Sequence, residues 1–173
     1  MSAGRATVAC AMQASLYVCV AMQVSLHCVK AYGQLLDELA QCASKPSPPR
    51  IMLHSYGGSA EQVKDFVRLS TDGSHSGSAS GDFGQRIFFS FSHALAQKAP
   101  EKARARIAAV PDDKLLIETD MESMAGMDQA LLAIVHLVAE AKGWTQEQAV
   151  QQTWQNFKAF YAGFLPPGMQ EGS

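Results

Sequence analysis

Two histidines and an aspartate stand at or near the ends of short apolar segments of this chain, and side chains of these types bind divalent metal ions. His27 ends "QVSLH", His54 ends "RIMLH" and Asp120 ends "KLLIETD". Neutral imidazole and carboxylate groups are ligands that zinc and similar ions take in proteins. The three residues are too far apart along the chain for a zinc finger, but their spacing fits ligands carried on separate strands of one sheet. The residue types therefore predict a shared divalent-metal site.

The elements that position these ligands alternate between strands and helices. Apolar runs predict strands, and helical spacing of apolar residues predicts the helices between them. The predicted strands are 23–29, 50–56, 86–92 and 114–120, and the predicted helices are 30–43, 59–70, 99–110, 128–143 and 145–161. This order is typical of parallel strands covered by helices, as in a doubly wound sheet or an eight-stranded barrel. No G-x-G-x-x-G motif or P-loop follows any of these strands, so the phosphate turn that would favour the doubly wound sheet is missing.

Alternation along the strands places His27, His54 and Asp120 on one face, at the C-terminal ends where parallel barrels carry their active sites. A single histidine at a strand end is more often a structural residue that makes hydrogen bonds. Three residues that can bind metal, at equivalent positions, favour a shared site instead. Glu118 lies on the same face, either supporting the ligands or forming a buried pair with a lysine or arginine at the base of the barrel.

Composition limits the classes of protein that fit. A chain of 173 residues is about one domain, and 47% hydrophobic residues allow a sizeable core. The net charge of -2 gives no electrostatic argument for a general nucleic-acid binder. The four cysteines form no Cys-x-x-Cys pair, which predicts reduced thiols in an intracellular protein. We expect the cytoplasm, with the nucleus as the alternative, and no membrane partner.

The chain divides into three parts by composition. Residues 1–22 are an atypical apolar segment, weak as a signal peptide and too short for a membrane span. Residues 23–164 carry the alternating pattern and contain a flexible Gly/Ser-rich insertion at 70–86. Residues 165–173 are predicted to be a C-terminal tail.

Five segments together resemble the C-terminal half of the TatD family, which are metal-dependent hydrolases and deoxyribonucleases on a TIM barrel. The sequence is most similar to fungal members of the family, and the resemblance extends from about Gln23 to about Tyr161. The segments are "VSLHCVKAYG", "RIMLHSYGGSAEQV", "RIFFSFS", "VPDDKLLIETD" and "GWTQEQAVQQTWQNFKAFY". The resemblance implies an α/β fold, here a partial TIM-like barrel of about four parallel βα units.

The resemblance also implies roles for particular residues. His27 and His54 correspond to the family's two mid-chain metal-binding histidines, and Asp120 to its late metal-binding aspartate, which also contacts the reacting water as a catalytic residue. The implied cofactor is a divalent ion (zinc, magnesium or manganese), and the implied substrate is DNA or another phosphodiester. Asn156 lies in the closing helix signature, where its role is structural.

The chain also departs from the family pattern. The family opens with His-x-His or His-x-Asp and carries a bridging glutamate before the first mid-chain histidine, and this sequence has neither feature. The segment "MESMAGM" does not reproduce the family's proline-containing loop. The chain is therefore expected to be a barrel's last four strands, with open edges through which it self-associates. In such an open sheet we expect His27 and His54 to lie close together and Asp120 to lie farther away.

Two functions are consistent with this sequence. The first is a TatD-like metal-dependent hydrolase that acts on phosphodiester bonds as a deoxyribonuclease and is inactive as this chain alone. The alternative is a non-catalytic half-barrel, acting as a binding module or existing as a truncated product.

Overall fold

The strands form one parallel sheet in chain order. The computed structural model describes residues 23–44, 49–72, 82–166 and 169, so the N-terminal segment 1–22, most of the Gly/Ser-rich insertion and most of the tail lie outside it. The strands are β1 (Gln23–His27), β2 (Arg50–His54), β3 (Ile87–Ser92) and β4 (Leu115–Glu118). Neighbours pair in parallel throughout, which confirms the predicted order and direction. Within the described residues β1 and β4 are the two edges, so the barrel is not closed.

Helices follow the strands much as the spacing of apolar residues predicts. They are α1 (Tyr32–Ala43), α2 (Ala60–Val67), α3 (His93–Ala96), α4 (Pro100–Ala109), α5 (Met127–Lys142) and α6 (Gln146–Phe160). Capping boxes begin two of these helices, at Ser59 and Thr145, where each hydroxyl accepts from the backbone N–H three residues on. Gly143 ends α5 in the left-handed conformation, at φ 67°. No helix among the described residues is long and apolar enough to cross a membrane.

The two faces of the sheet bury different residues. One face packs under the helices and forms the main core, to which Leu26, Leu53 and Phe89 contribute. On the opposite face Phe88 and Leu116 pack against Phe160 near the end of α6. Burying side chains of this size contributes about 1.5–3 kcal/mol each. The second face is thus apolar where α6 covers it, and it carries polar side chains at the C-terminal ends of the strands.

Asn156 fastens α6 to the start of β4. Its buried amide nitrogen donates to the carbonyl oxygens of Asp112 and Leu115, at 2.6 and 2.8 Å. Its side-chain oxygen accepts from Gln152 Nε2 at 2.9 Å. These contacts give Asn156 the structural role that the sequence predicts, since they hold the strand that carries Glu118 against the closing helix.

Replacing Asn156 with aspartate should destabilise the fold by at least about 3 kcal/mol, because a buried carboxylate would face two carbonyl oxygens without a proton to donate. The matched control is Gln155→Glu on an exposed position of the same helix, which should change stability by less than about 0.5 kcal/mol. Urea unfolding of both variants measures the difference. Equal midpoints for the two variants would show that Asn156 does not fasten the helix.

Candidate metal centre

Parallel register brings the two strand-end histidines side by side. His27 and His54 are paired across β1 and β2, and their neighbours Leu26 and Leu53 face the main core. Successive side chains point to opposite faces of a sheet, so both imidazoles project from the face opposite the main core. The ring centroids are 5.8 Å apart, and the ring planes are tilted by 54°. The predicted proximity of the two histidines is thus observed.

His54, Glu118 and Asp120 form the tightest group of ligand atoms at this end of the sheet. His54 Nε2 lies 3.3 Å from Glu118 Oε2 and 3.9 Å from Asp120 Oδ1. One ligand atom from each residue lies within 4.8 Å of the other two. The side chains of His54 and Glu118 are 26% and 18% exposed, whereas that of Asp120 is 49% exposed. The group is therefore open to solvent on the Asp120 side.

The expectation that Asp120 lies far from His54 is wrong, since its Oδ1 lies 3.9 Å from His54 Nε2. Asp120 follows β4 by two residues and adopts a left-handed backbone conformation, at φ 52°. This turn, together with the twist that accumulates over three parallel strands, brings its carboxylate to His54 without a closed barrel. The structure therefore brings together two of the three predicted ligands, His54 and Asp120.

Among the described residues, Glu118 does not form the buried ion pair with a lysine or arginine that was the alternative to a place beside the ligands. Its carboxylate faces His54 Nε2 and accepts a long hydrogen bond of 3.5 Å from Ser90 Oγ. Lys114, at the other end of β4, pairs with Asp113 at 2.8 Å. The alternation that puts Glu118 on the same face as His54 was the signal for its place beside the ligands.

His27 is exposed and lies beside this group rather than within it. Its ring contacts the His54 ring, but it is not among the ligand atoms that cluster within 4.8 Å. Strand β1 is the edge of the sheet in the described residues, so His27 has a described neighbouring strand on one side only. Its assignment as a ligand stays a prediction.

The donor set fits a divalent ion. Ligands about 2.0–2.2 Å from a tetrahedral zinc lie about 3.3 Å from each other, close to the distances that separate His54 from the two carboxylates. One imidazole and two carboxylates suit zinc, and they also suit manganese or magnesium with water completing the shell. A small rotation of the half-exposed Asp120 side chain would bring its Oδ1, now 3.9 Å from His54 Nε2, to this spacing.

Cys28, next to His27 in sequence, does not contribute to this chemistry. Its side chain is buried in the main core. Burial raises the pKa of the Cys28 thiol, which disfavours the thiolate that a nucleophile or metal ligand needs.

Comparison with known proteins identifies the family of the chain. Residues 12–162 match the family described as TatD related DNase. The chain belongs to this TatD family. The match confirms the resemblance seen in the sequence, and it begins earlier than the Gln23 boundary inferred there.

Individual similar proteins show how much of a relative the chain spans. The Cut9-interacting protein scn1 of Schizosaccharomyces pombe is 28% identical over 165 residues, covering 79% of this chain and 45% of that protein. A TatD family hydrolase from Entamoeba histolytica superposes with a TM-score of 0.58 at 15% identity, covering 92% of this chain and 56% of its own. An uncharacterized amidohydrolase from Saccharomyces cerevisiae gives 0.57 at 13% identity, covering 81% and 54%. The structural matches establish the fold, and the chain spans about half the length of these proteins.

Proposed function

We propose that this chain supplies His54, Glu118 and Asp120 to a divalent-metal centre that hydrolyses phosphodiester bonds in DNA. The observation that carries the proposal is the convergence of these three side chains at the C-terminal end of a parallel sheet. This is where parallel α/β barrels place their catalytic groups. Membership of the TatD family supports DNA as the substrate.

Each side chain has a distinct task in this proposal. His54 offers Nε2 as a nitrogen ligand, and Glu118, the less exposed carboxylate, offers a fixed oxygen beside it. Asp120 is half-exposed and can accept a proton from a water molecule that approaches from solvent. A bound divalent ion lowers the pKa of a coordinated water and polarises a phosphoryl oxygen. We assign His27 as a further ligand, because its ring already contacts that of His54.

Titration of the purified chain with zinc or manganese tests the proposal. Wild type should show one saturable site, and Asp120→Asn should bind at least about 10-fold more weakly because it loses a charged ligand. Asp37→Asn, at an exposed position of α1, removes the same charge from a helix that packs on the main-core face of the sheet. This variant should leave the affinity unchanged. Equal loss in both variants would indicate a general charge effect, and no saturable site in the wild type would contradict the metal centre.

A non-catalytic binding module is the second candidate. It is favoured by the name of the Schizosaccharomyces pombe relative, which is described as interacting with Cut9, and by the two open edges of the described sheet. Unpaired strand edges invite pairing with another chain, so self-association is part of this candidate. This candidate predicts a folded chain that binds no metal and gives concentration-dependent sedimentation.

A further inference from the structure

A serine on β3, the strand between those that carry His54 and Glu118, contacts both neighbouring strands at the candidate metal centre. Ser90 lies on β3, its side chain is buried, and it occupies the same face of the sheet as the candidate metal centre. Strand β3 pairs with β2 on one side and with β4 on the other. Ser90 is therefore placed to link the strand that ends in His54 with the strand that ends in Glu118.

On the β2 side, Ser90 holds the backbone that immediately follows His54. The N–H of Ser55 donates to Ser90 Oγ at 3.1 Å, and the N–H of Tyr56 donates to the Ser90 carbonyl oxygen at 2.8 Å. Ser55 has a left-handed backbone, at φ 48°, which side-chain-bearing residues rarely adopt. These two hydrogen bonds stabilise the sharp turn that sets where the His54 ring is presented.

On the β4 side, the Ser90 hydroxyl donates to Glu118. Because Ser90 Oγ already accepts the Ser55 N–H, its own proton is directed elsewhere, and Glu118 Oε1 lies 3.5 Å away. The other oxygen of that carboxylate, Oε2, is the one that faces His54 Nε2. A donor on Oε1 leaves Oε2 directed toward the histidine and the space between the ligands.

We infer that Ser90 is a positioning residue, which holds the Glu118 carboxylate and the His54 strand end in the arrangement that a divalent cation requires. This inference rests on the proposed function. Groups that hydrogen-bond metal ligands orient them and raise affinity, and their removal typically weakens metal binding by about 10–100-fold. Ser90 makes such contacts to both ligand-bearing strands, through Ser55 after β2 and Glu118 on β4.

Ser92 provides a matched control on the same strand and the same face. It is as buried as Ser90, its hydroxyl lies 2.7 Å from Ser55 Oγ, and it accepts from the N–H of Leu95 at the start of α3. Its hydroxyl makes no hydrogen bond to Glu118 among the described contacts. Ser92→Ala thus removes a buried hydroxyl next to the centre without removing the donor to the carboxylate.

Zinc or manganese titration of the two alanine variants tests the inference. Ser90→Ala should bind about 10–100-fold more weakly than wild type, and Ser92→Ala less than about threefold more weakly. Ser90→Cys keeps the shape with a weaker donor and should fall between wild type and Ser90→Ala, which also provides the test if the alanine variant does not fold. Equal affinities for Ser90→Ala and Ser92→Ala would overturn the inference.

A metal-free measurement separates this inference from the proposed function. If wild type binds no metal, the proposed centre fails, and the role of Ser90 is read from a double-mutant cycle in urea with Glu118→Ala, which removes both oxygens of that side chain. Positioning predicts that Ser90→Ala shifts the urea midpoint less when Glu118 is already replaced, because the two groups interact. Additive midpoint shifts would show that Ser90 does not act on Glu118.

Discussion

This chain alone should release few or no nucleotides from DNA, whereas the same residues fused behind the N-terminal half of a TatD-family barrel should hydrolyse DNA when magnesium or manganese is added. The sequence contains no His-x-His or His-x-Asp, and no acidic residue precedes His27. The proposed ligands among the described residues come from the end of β2, from β4 and from the turn after β4, and these alone would leave a two-metal clamp on the attacking and leaving oxygens incomplete.

The expected difference in rate is at least about 1000-fold. A metal ion supplies several kcal/mol of transition-state stabilisation, and about 1.4 kcal/mol corresponds to a tenfold change in rate. The assay follows nucleotides released from end-labelled DNA, with a chelator as the metal-free control, and the fusion joins the added half ahead of Gln23. Robust metal-dependent turnover by this chain alone, lost on His54→Ala, would show that the residues present here suffice for catalysis.

Replacing His54 with alanine in the fused protein should lower the rate of DNA hydrolysis by about 1000-fold or more. The variant loses the nitrogen ligand at the centre of the group and leaves the carboxylates of Glu118 and Asp120 without the imidazole between them. Both the affinity for the metal and the placement of the remaining ligands should suffer, so added metal should restore only part of the rate.

The control for this variant is His136→Ala. His136 is exposed on α5 and pairs with Glu140 at 3.2 Å, on the helix layer rather than at the strand ends. Its removal should leave the rate unchanged. If His54→Ala retained the wild-type rate, His54 would be only a structural partner of Glu118, and the metal centre would lie elsewhere.

The order and direction of the strands could be predicted because local signals agree along the chain. The strands and helices lie close to the predicted ranges, and the capping boxes at Ser59 and Thr145 stabilise the starts of two of the predicted helices. The short helix α3 was missed because four residues are too few to show helical spacing of apolar residues. Its N-cap is Ser92, whose hydroxyl accepts from the backbone N–H of Leu95.

The arrangement of the site was harder to predict because it depends on geometry beyond one element. Alternation correctly puts His54 and Glu118 on one face, but the distance from His54 to Asp120 depends on sheet twist and on a left-handed turn after β4. Asp120 is not glycine, so composition gave no sign of that turn. The contacts of Ser90 likewise depend on the register of three strands, which hydrophobic patterning does not specify.

Anomalous X-ray diffraction from crystals of the chain grown with zinc or manganese tests the central claim most directly. We expect one strong anomalous peak about 2.0–2.2 Å from His54 Nε2, within bonding distance of carboxylate oxygens of Glu118 and Asp120. The peak should disappear in crystals of His54→Ala. A peak absent from this group in the wild type, or found instead beside His136 and Glu140, would contradict the assignment of the strand ends as the metal centre.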